Sequence, residues 1–139
     1  MPETARIKYK AGYKFQLYED AQFETGIHVG NPVGNRYVIL YATGLMLIRS
    51  GYSWDGASGP MPDSPSIMRA SLTHDAIYQI LREGHIPQHY RKIADKLLYR
   101  MCIQDGMPPP LAKTVYLAVR KFGASSAALG SSKPILIAP

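Results

Sequence analysis

"SLTHDAIYQI", residues 71–80, sets a histidine in the middle of an apolar run with an aspartate beside it. With His74 at zero on a wheel of about 100° per residue, Ile67 falls near +20° and Leu81 near −20°. Tyr78 falls near +40° and Ala70 near −40° on the same wheel. The run therefore reads as a helix whose apolar stripe is centred on His74. Asp75 lies about 100° away, on its shoulder. An unpaired imidazole in such a stripe would cost about 1–3 kcal/mol, so the ring needs a partner. Three roles stay open: a core histidine bonded to a carbonyl, a general base, or a metal ligand.

The helix has readable ends. Asp63 or Ser64 can cap it, Pro65 suits its first position, and Gly84 stops it. A second helix runs from about Pro87 to Asp105, with Gly106 as its stop. A third follows "MPPP" (107–110) and ends before Gly123. The short "EGHIP" connection (83–87) makes the first two antiparallel neighbours. In "RKIADKLLYR" (91–100), Asp95 sits at the edge of the apolar stripe beside Leu98 and Cys102. Asp95 and Tyr99 are thus placed to face His74. A carboxylate accepting from one ring nitrogen fixes the tautomer and leaves the other nitrogen free as a base. The competing reading is a solvated Asp95 paired with Arg91 or Lys92.

Upstream, residues 7–50 are rich in tyrosine, valine, isoleucine and glycine. "YKFQLYE" (13–19) alternates and "GNPVGN" (30–35) is a turn cluster. "RYVILYA" (36–42) and "LMLIRS" (45–50) are β-like runs separated by "TG". This predicts antiparallel hairpins or a small meander. Residues 51–63, "GYSWDGASGPMPD", read as a glycine loop, and 124–139, ending in the apolar "PILIAP", as an extended C-terminal arm. The expected fold is a single α+β domain over 1–139, β-rich at 7–50 and helical at 64–123.

Composition narrows the classes. The 139 residues are 46% hydrophobic and 19% charged, as in a globular chain. The lone Cys102 excludes an intrachain disulfide and a cysteine zinc cluster. No apolar run is long enough to span a bilayer. "MPETARIKYK" has no apolar segment behind its charges and does not read as a secretory signal. The net charge of +6 favours anionic partners. No helix-turn-helix, zinc finger or aromatic RNA-binding motif points to a specific nucleic acid. His28 lies in the β-like region, and His85 and His89 in the helix connection are expected to be solvated.

"HDAIY" (74–78), the later "AD" (94–95) and the preceding glycine loop resemble the secreted and viral phospholipase A₂ proteins over about residues 52–100. Gly56 and Gly59 precede His74 by 18 and 15 positions (74 − 56 and 74 − 59). The resemblance implies a phospholipase-like antiparallel helix pair with His74 as the base that activates water. It assigns Tyr78 and Asp95 to the network that orients His74. It assigns calcium to Asp75 and to the carbonyls of Trp54, Gly56 and Ser58. The loop "YSWDGASGP" carries fewer glycines than that family's loop and adds Asp55.

A longer pattern, "GYSWDGASGP" followed by "MRASLTHDAIYQ", "RKIADKLLYRMC" and "DGM", is similar to a family of small uncharacterised proteins encoded by tailed bacteriophages. That likeness implies a virion component, a tail or baseplate structural protein. Its partners would be other virion proteins, or a second copy bound through the C-terminal arm. The phospholipase resemblance implies instead a calcium-dependent ester hydrolase acting on anionic membrane lipid. A His-Asp metal phosphohydrolase is a third class, but it would need a histidine and aspartate set spread over a larger helical domain.

Overall fold

The computed structural model describes residues 7, 9–10, 15–56 and 64–130. In chain order the elements are β1 (Tyr9–Lys10), β2 (Phe15–Leu17), β3 (Ala21–Glu24), β4 (Val33–Gly34), β5 (Val38–Leu40), β6 (Leu45–Ile48) and β7 (Ser53–Trp54), then α1 (Pro65–Arg82), α2 (Arg91–Gln104), α3 (Pro109–Phe122) and α4 (Ala124–Ala127). A 3₁₀ turn, Gln88–Tyr90, leads into α2. This is the expected α+β order, strands first and helices after.

All strand pairs are antiparallel and form two sheets, β1-β2-β7 and β3-β6-β5-β4. The "TG" turn does close the hairpin between β5 and β6, pairing Leu40 with Met46 and Val38 with Ile48. Alternation selects the buried face: Ala21 and Phe23 point in, Gln22 and Glu24 out. Two short strands lie where loops were expected. Val33–Gly34, inside the "GNPVGN" cluster, pairs with β5 before the chain turns at Asn35. The Asn35 side-chain oxygen accepts from the amides of Tyr37 and Val38, both at 2.9 Å. Ser53–Trp54, at the head of the glycine loop, pairs with β2 because Trp54 is a core residue, 1% exposed, packed against Phe15.

α1 is the centre of the molecule. Only Pro65, Ser66 and Asp75 on it escape burial. A stripe facing one core was the expectation from periodicity; instead the helix is covered all round. Its polar side chains are buried with partners. Arg69 binds the Asp105 carboxylate through two nitrogens, each at 3.0 Å, and Gln104 at 3.0 Å. Ser71 accepts from the Trp54 indole at 3.0 Å and donates to the Met68 carbonyl at 2.9 Å. Thr73 donates to the Arg69 carbonyl and Gln79 to Glu83. Among the described residues no buried side-chain nitrogen or oxygen lacks a partner, which is what burial of polar groups requires.

α1 and α2 run antiparallel, since Arg69 meets Asp105, His74 meets Asp95 and Tyr78 meets Arg91. α1 ends in a reversed turn: the His85 amide reaches the Ile80 carbonyl and the Gly84 amide the Leu81 carbonyl. Gly84 holds a φ of +82°, and a Cβ there would sit 3.0 Å from the Leu129 side chain. Gly84→Ala is therefore expected to lower stability by about 1–2 kcal/mol, read from the urea midpoint. α2 ends the same way at Gly106.

The arm expected to be extended from residue 124 is helical at its start. Residues 124–127 form α4, with Ala127 fully buried. The Gln88 side chain donates to the carbonyls of Leu81 and Ala127, and the Gly130 amide donates to the Arg82 carbonyl. Residues 131–139, the rest of the arm, lie outside the described residues. Among the described residues no helix is long and apolar enough to cross a membrane.

Candidate active site around His74

His74 and Tyr78 are one turn apart on α1 and their rings stack, centroids 4.1 Å apart. Across the interface, Asp95 of α2 is completely buried. One of its oxygens, Oδ1, lies 2.7 Å from His74 Nε2 and accepts a 2.6 Å hydrogen bond from the Tyr78 hydroxyl. The other, Oδ2, accepts from Arg120 of α3 at 2.8 Å. Arg91, one turn before Asp95, stands 3.9 Å from Oδ2 and donates to the Tyr78 hydroxyl at 3.0 Å. Its other end donates to the Val119 and Arg120 carbonyls, which ties the end of α3 to the same point.

Burial alone would raise the Asp95 pKa. Hydrogen bonds from His74, Tyr78 and Arg120 outweigh it and hold the carboxyl below its ordinary value of 3.8. Asp95 is thus ionised at neutral pH. An ionised carboxylate only accepts, so His74 Nε2 carries a proton and donates to it. Nδ1 makes no hydrogen bond among the described residues. His74 itself is 6% exposed. Tyr78 is pushed far up, first by burial and then by Asp95, and stays a phenol that donates.

The sequence reading expected Asp95 and Tyr99 to face His74. Asp95 does. Tyr99 instead packs edge-on against Tyr116 of α3, centroids 5.9 Å apart. Asp95 does pair with Arg91, as the competing reading had it, but in the interior rather than in solvent. Arg120 was missed. It arrives from 25 positions away on another helix, and no spacing in the sequence signals it. His85 is not simply solvated: its Nε2 lies 3.3 Å from Glu83.

Asp75, next to His74, is half-buried. With Asp55, it adds to the burial that raises the phenol pKa of Tyr52, a residue 2% exposed just before β7. The Asp75 carboxylate thus lies within electrostatic range of Tyr52, two residues before Trp54. Gly56 is buried with a positive φ of 84°. Ser58 and Asp63 lie outside the described residues. Among the described residues no three His, Cys, Asp or Glu side chains gather at one point. A cation here would draw on the Asp75 carboxylate and backbone carbonyls. Those are donor kinds that calcium accepts.

Cys102 is no rival nucleophile. Burial, then Asp105, pushes its thiol up to about 12.

Gly123, at the end of α3, closes over this network. A Cβ there would come 2.6 Å from the Tyr78 hydroxyl and 2.5 Å from the Val119 carbonyl oxygen. Gly123→Ala should lower stability by about 1–3 kcal/mol through overpacking. Combining it with Tyr78→Phe, which removes one of the two clashing atoms, should give a loss smaller than the sum of the single changes. Strict additivity in denaturant titrations would show that Gly123 does not press on Tyr78.

No family model, no curated protein and no solved structure matches the chain.

Proposed function

We propose that the protein is a calcium-dependent ester hydrolase of the phospholipase A₂ kind, with His74 as general base. One observation carries the reading: His74 Nε2 hydrogen-bonds a buried, ionised Asp95, which leaves Nδ1 as the ring nitrogen without a hydrogen bond among the described residues. In the proposed reaction Nδ1 takes a proton from water as that water attacks the ester carbonyl. His74 then returns the proton to the departing alcohol oxygen. Asp95 keeps the ring oriented and stabilises its charged form, while Tyr78 and Arg120 fix the carboxylate. Asp75, with the carbonyls of Trp54 and Gly56 and with Ser58, would hold calcium, whose bound form supplies Lewis-acid stabilisation of the oxyanion. The net positive charge suits an anionic lipid surface as substrate.

A second reading has its own support. Asp95 joins α1, α2 and α3 and is matched by two arginines, an arrangement that also serves packing alone. On that reading the protein is a structural component of a phage virion, as its longer sequence pattern implies, and His74 is one of the bonds between helices.

Mixed vesicles containing phosphatidylglycerol, with millimolar calcium, separate the two. Fatty-acid release by the wild-type protein that disappears on chelation supports the hydrolase. Silence from a folded wild-type protein under these conditions leaves the structural reading standing.

A further inference from the structure

α2 and α3 leave a groove between their outer faces, away from the side of α2 that carries Asp95. Its volume is about 520 Å³, inside the roughly 300–1,000 Å³ typical of small-molecule sites. The floor is apolar: Tyr99 and Ile103, one turn apart on α2, and Tyr116 of α3. The two tyrosine rings meet edge-on at 63°, so they present carbon surface to a chain laid along the groove. Lys96 and Arg100 of α2 and Lys113 of α3 stand at its rim, all exposed. None of these three meets an acidic side chain: the salt bridges among the described residues all lie elsewhere. No acidic residue lines the groove.

We propose that this groove binds a single-chain anionic amphiphile, its apolar chain over Tyr99, Ile103 and Tyr116 and its acidic head among Lys96, Arg100 and Lys113. Charge complementarity selects the ligand. A neutral apolar ligand would leave the three cations unanswered, while a polyanion without an apolar part would leave the floor uncovered. The site goes beyond the His74 chemistry and does not depend on it, since occupancy is read without any turnover.

The test is calorimetric titration of the full-length protein with monomeric dodecanoate, repeated with neutral decyl maltoside. Vesicles of phosphatidylglycerol and of phosphatidylcholine form a second arm. The comparison variant is Lys96→Gln/Lys113→Gln, two exposed changes that leave the packing intact. One dodecanoate should bind per chain, and the double variant should weaken it about tenfold, the effect of losing two solvent-exposed ion pairs. If the variant instead loses phosphatidylglycerol vesicles alone, the proposal holds with a membrane headgroup as the natural source of the anion. Equal binding of dodecanoate and decyl maltoside, or equal dodecanoate and vesicle binding by variant and wild type, overturns it. So does a single-stranded oligonucleotide that needs Lys96 and Lys113 while dodecanoate fails to bind.

Discussion

Asp95→Ala should cost the protein about 3 kcal/mol or more, the range for removing one partner of a buried ion pair. The loss has several parts. Arg91 is left among half-buried surroundings, the Tyr78 hydroxyl and His74 Nε2 lose their acceptor, and α3 loses its bond to α2. Arg120, whose side chain is 32% exposed, can turn to water, which keeps the figure at the lower end of that range. Urea unfolding with an unchanged slope would read the loss directly. A shift under about 1 kcal/mol would mean that the network holds nothing together.

The same carboxylate gives a pH signature. Its folded pKa lies below the ordinary 3.8, so on acidification the unfolded chain takes the proton first. The stabilisation from Asp95 is full above about pH 5 and is lost as pH falls through the folded value. Asp95→Asn should flatten the acid limb of stability against pH. Wild-type and Asp95→Asn curves that run parallel from neutrality into acid would contradict the assignment.

On the hydrolase proposal, His74→Asn carries the largest functional effect. Asparagine keeps a polar side chain but reaches only as far as Nδ1, so the bond from Nε2 to Asp95 is lost while the fold should survive, at a cost of about 1–3 kcal/mol. Hydrolysis should fall by about 10²–10⁴-fold, the contribution of a positioned general base. Circular dichroism must show a folded variant for the comparison to count. A folded variant that hydrolyses lipid as fast as the wild type would remove His74 from the chemistry and leave it a bond between helices.

The helical half of this fold was legible because its signals are local. Pro65, Gly84 and Gly106 mark ends that the structure keeps, α3 starts inside the "MPPP" cluster at Pro109 rather than after it, and the helix pairing placed His74 opposite Asp95. What escaped was long-range or polar. Arg69 with Asp105, Asp95 with Arg120 and Ser71 with the Trp54 indole are pairs far apart in sequence, and their polar members Arg69, Asp95 and Ser71 are buried. Hydrophobic periodicity reads such residues as solvent-facing. The two-residue strands at Val33 and Ser53 sit inside turn-like composition, where pairing rather than propensity decides the conformation. At the candidate site the histidine, its carboxylate and Tyr78 could be named from spacing. The arginine from α3 could not.

Because α1 is enclosed on every side, its tolerance of substitution should not follow the hydrophobicity of its letters. Arg69, Ser71, Thr73 and Gln79 look like surface residues, yet each fills a place where a replacement must match both shape and hydrogen-bonding pattern. A saturation library across the helix should therefore reject changes at these positions about as often as at Leu72 or Ile77. Asp75, half-buried in its middle, is less confined by the core, so selection for folding alone should accept more side-chain sizes there than at Leu72 or Ile77. If only catalytically competent variants are kept, Asp75 should become fixed as well. The difference between those two selections at one codon would separate what this helix owes to its packing from what it owes to its chemistry.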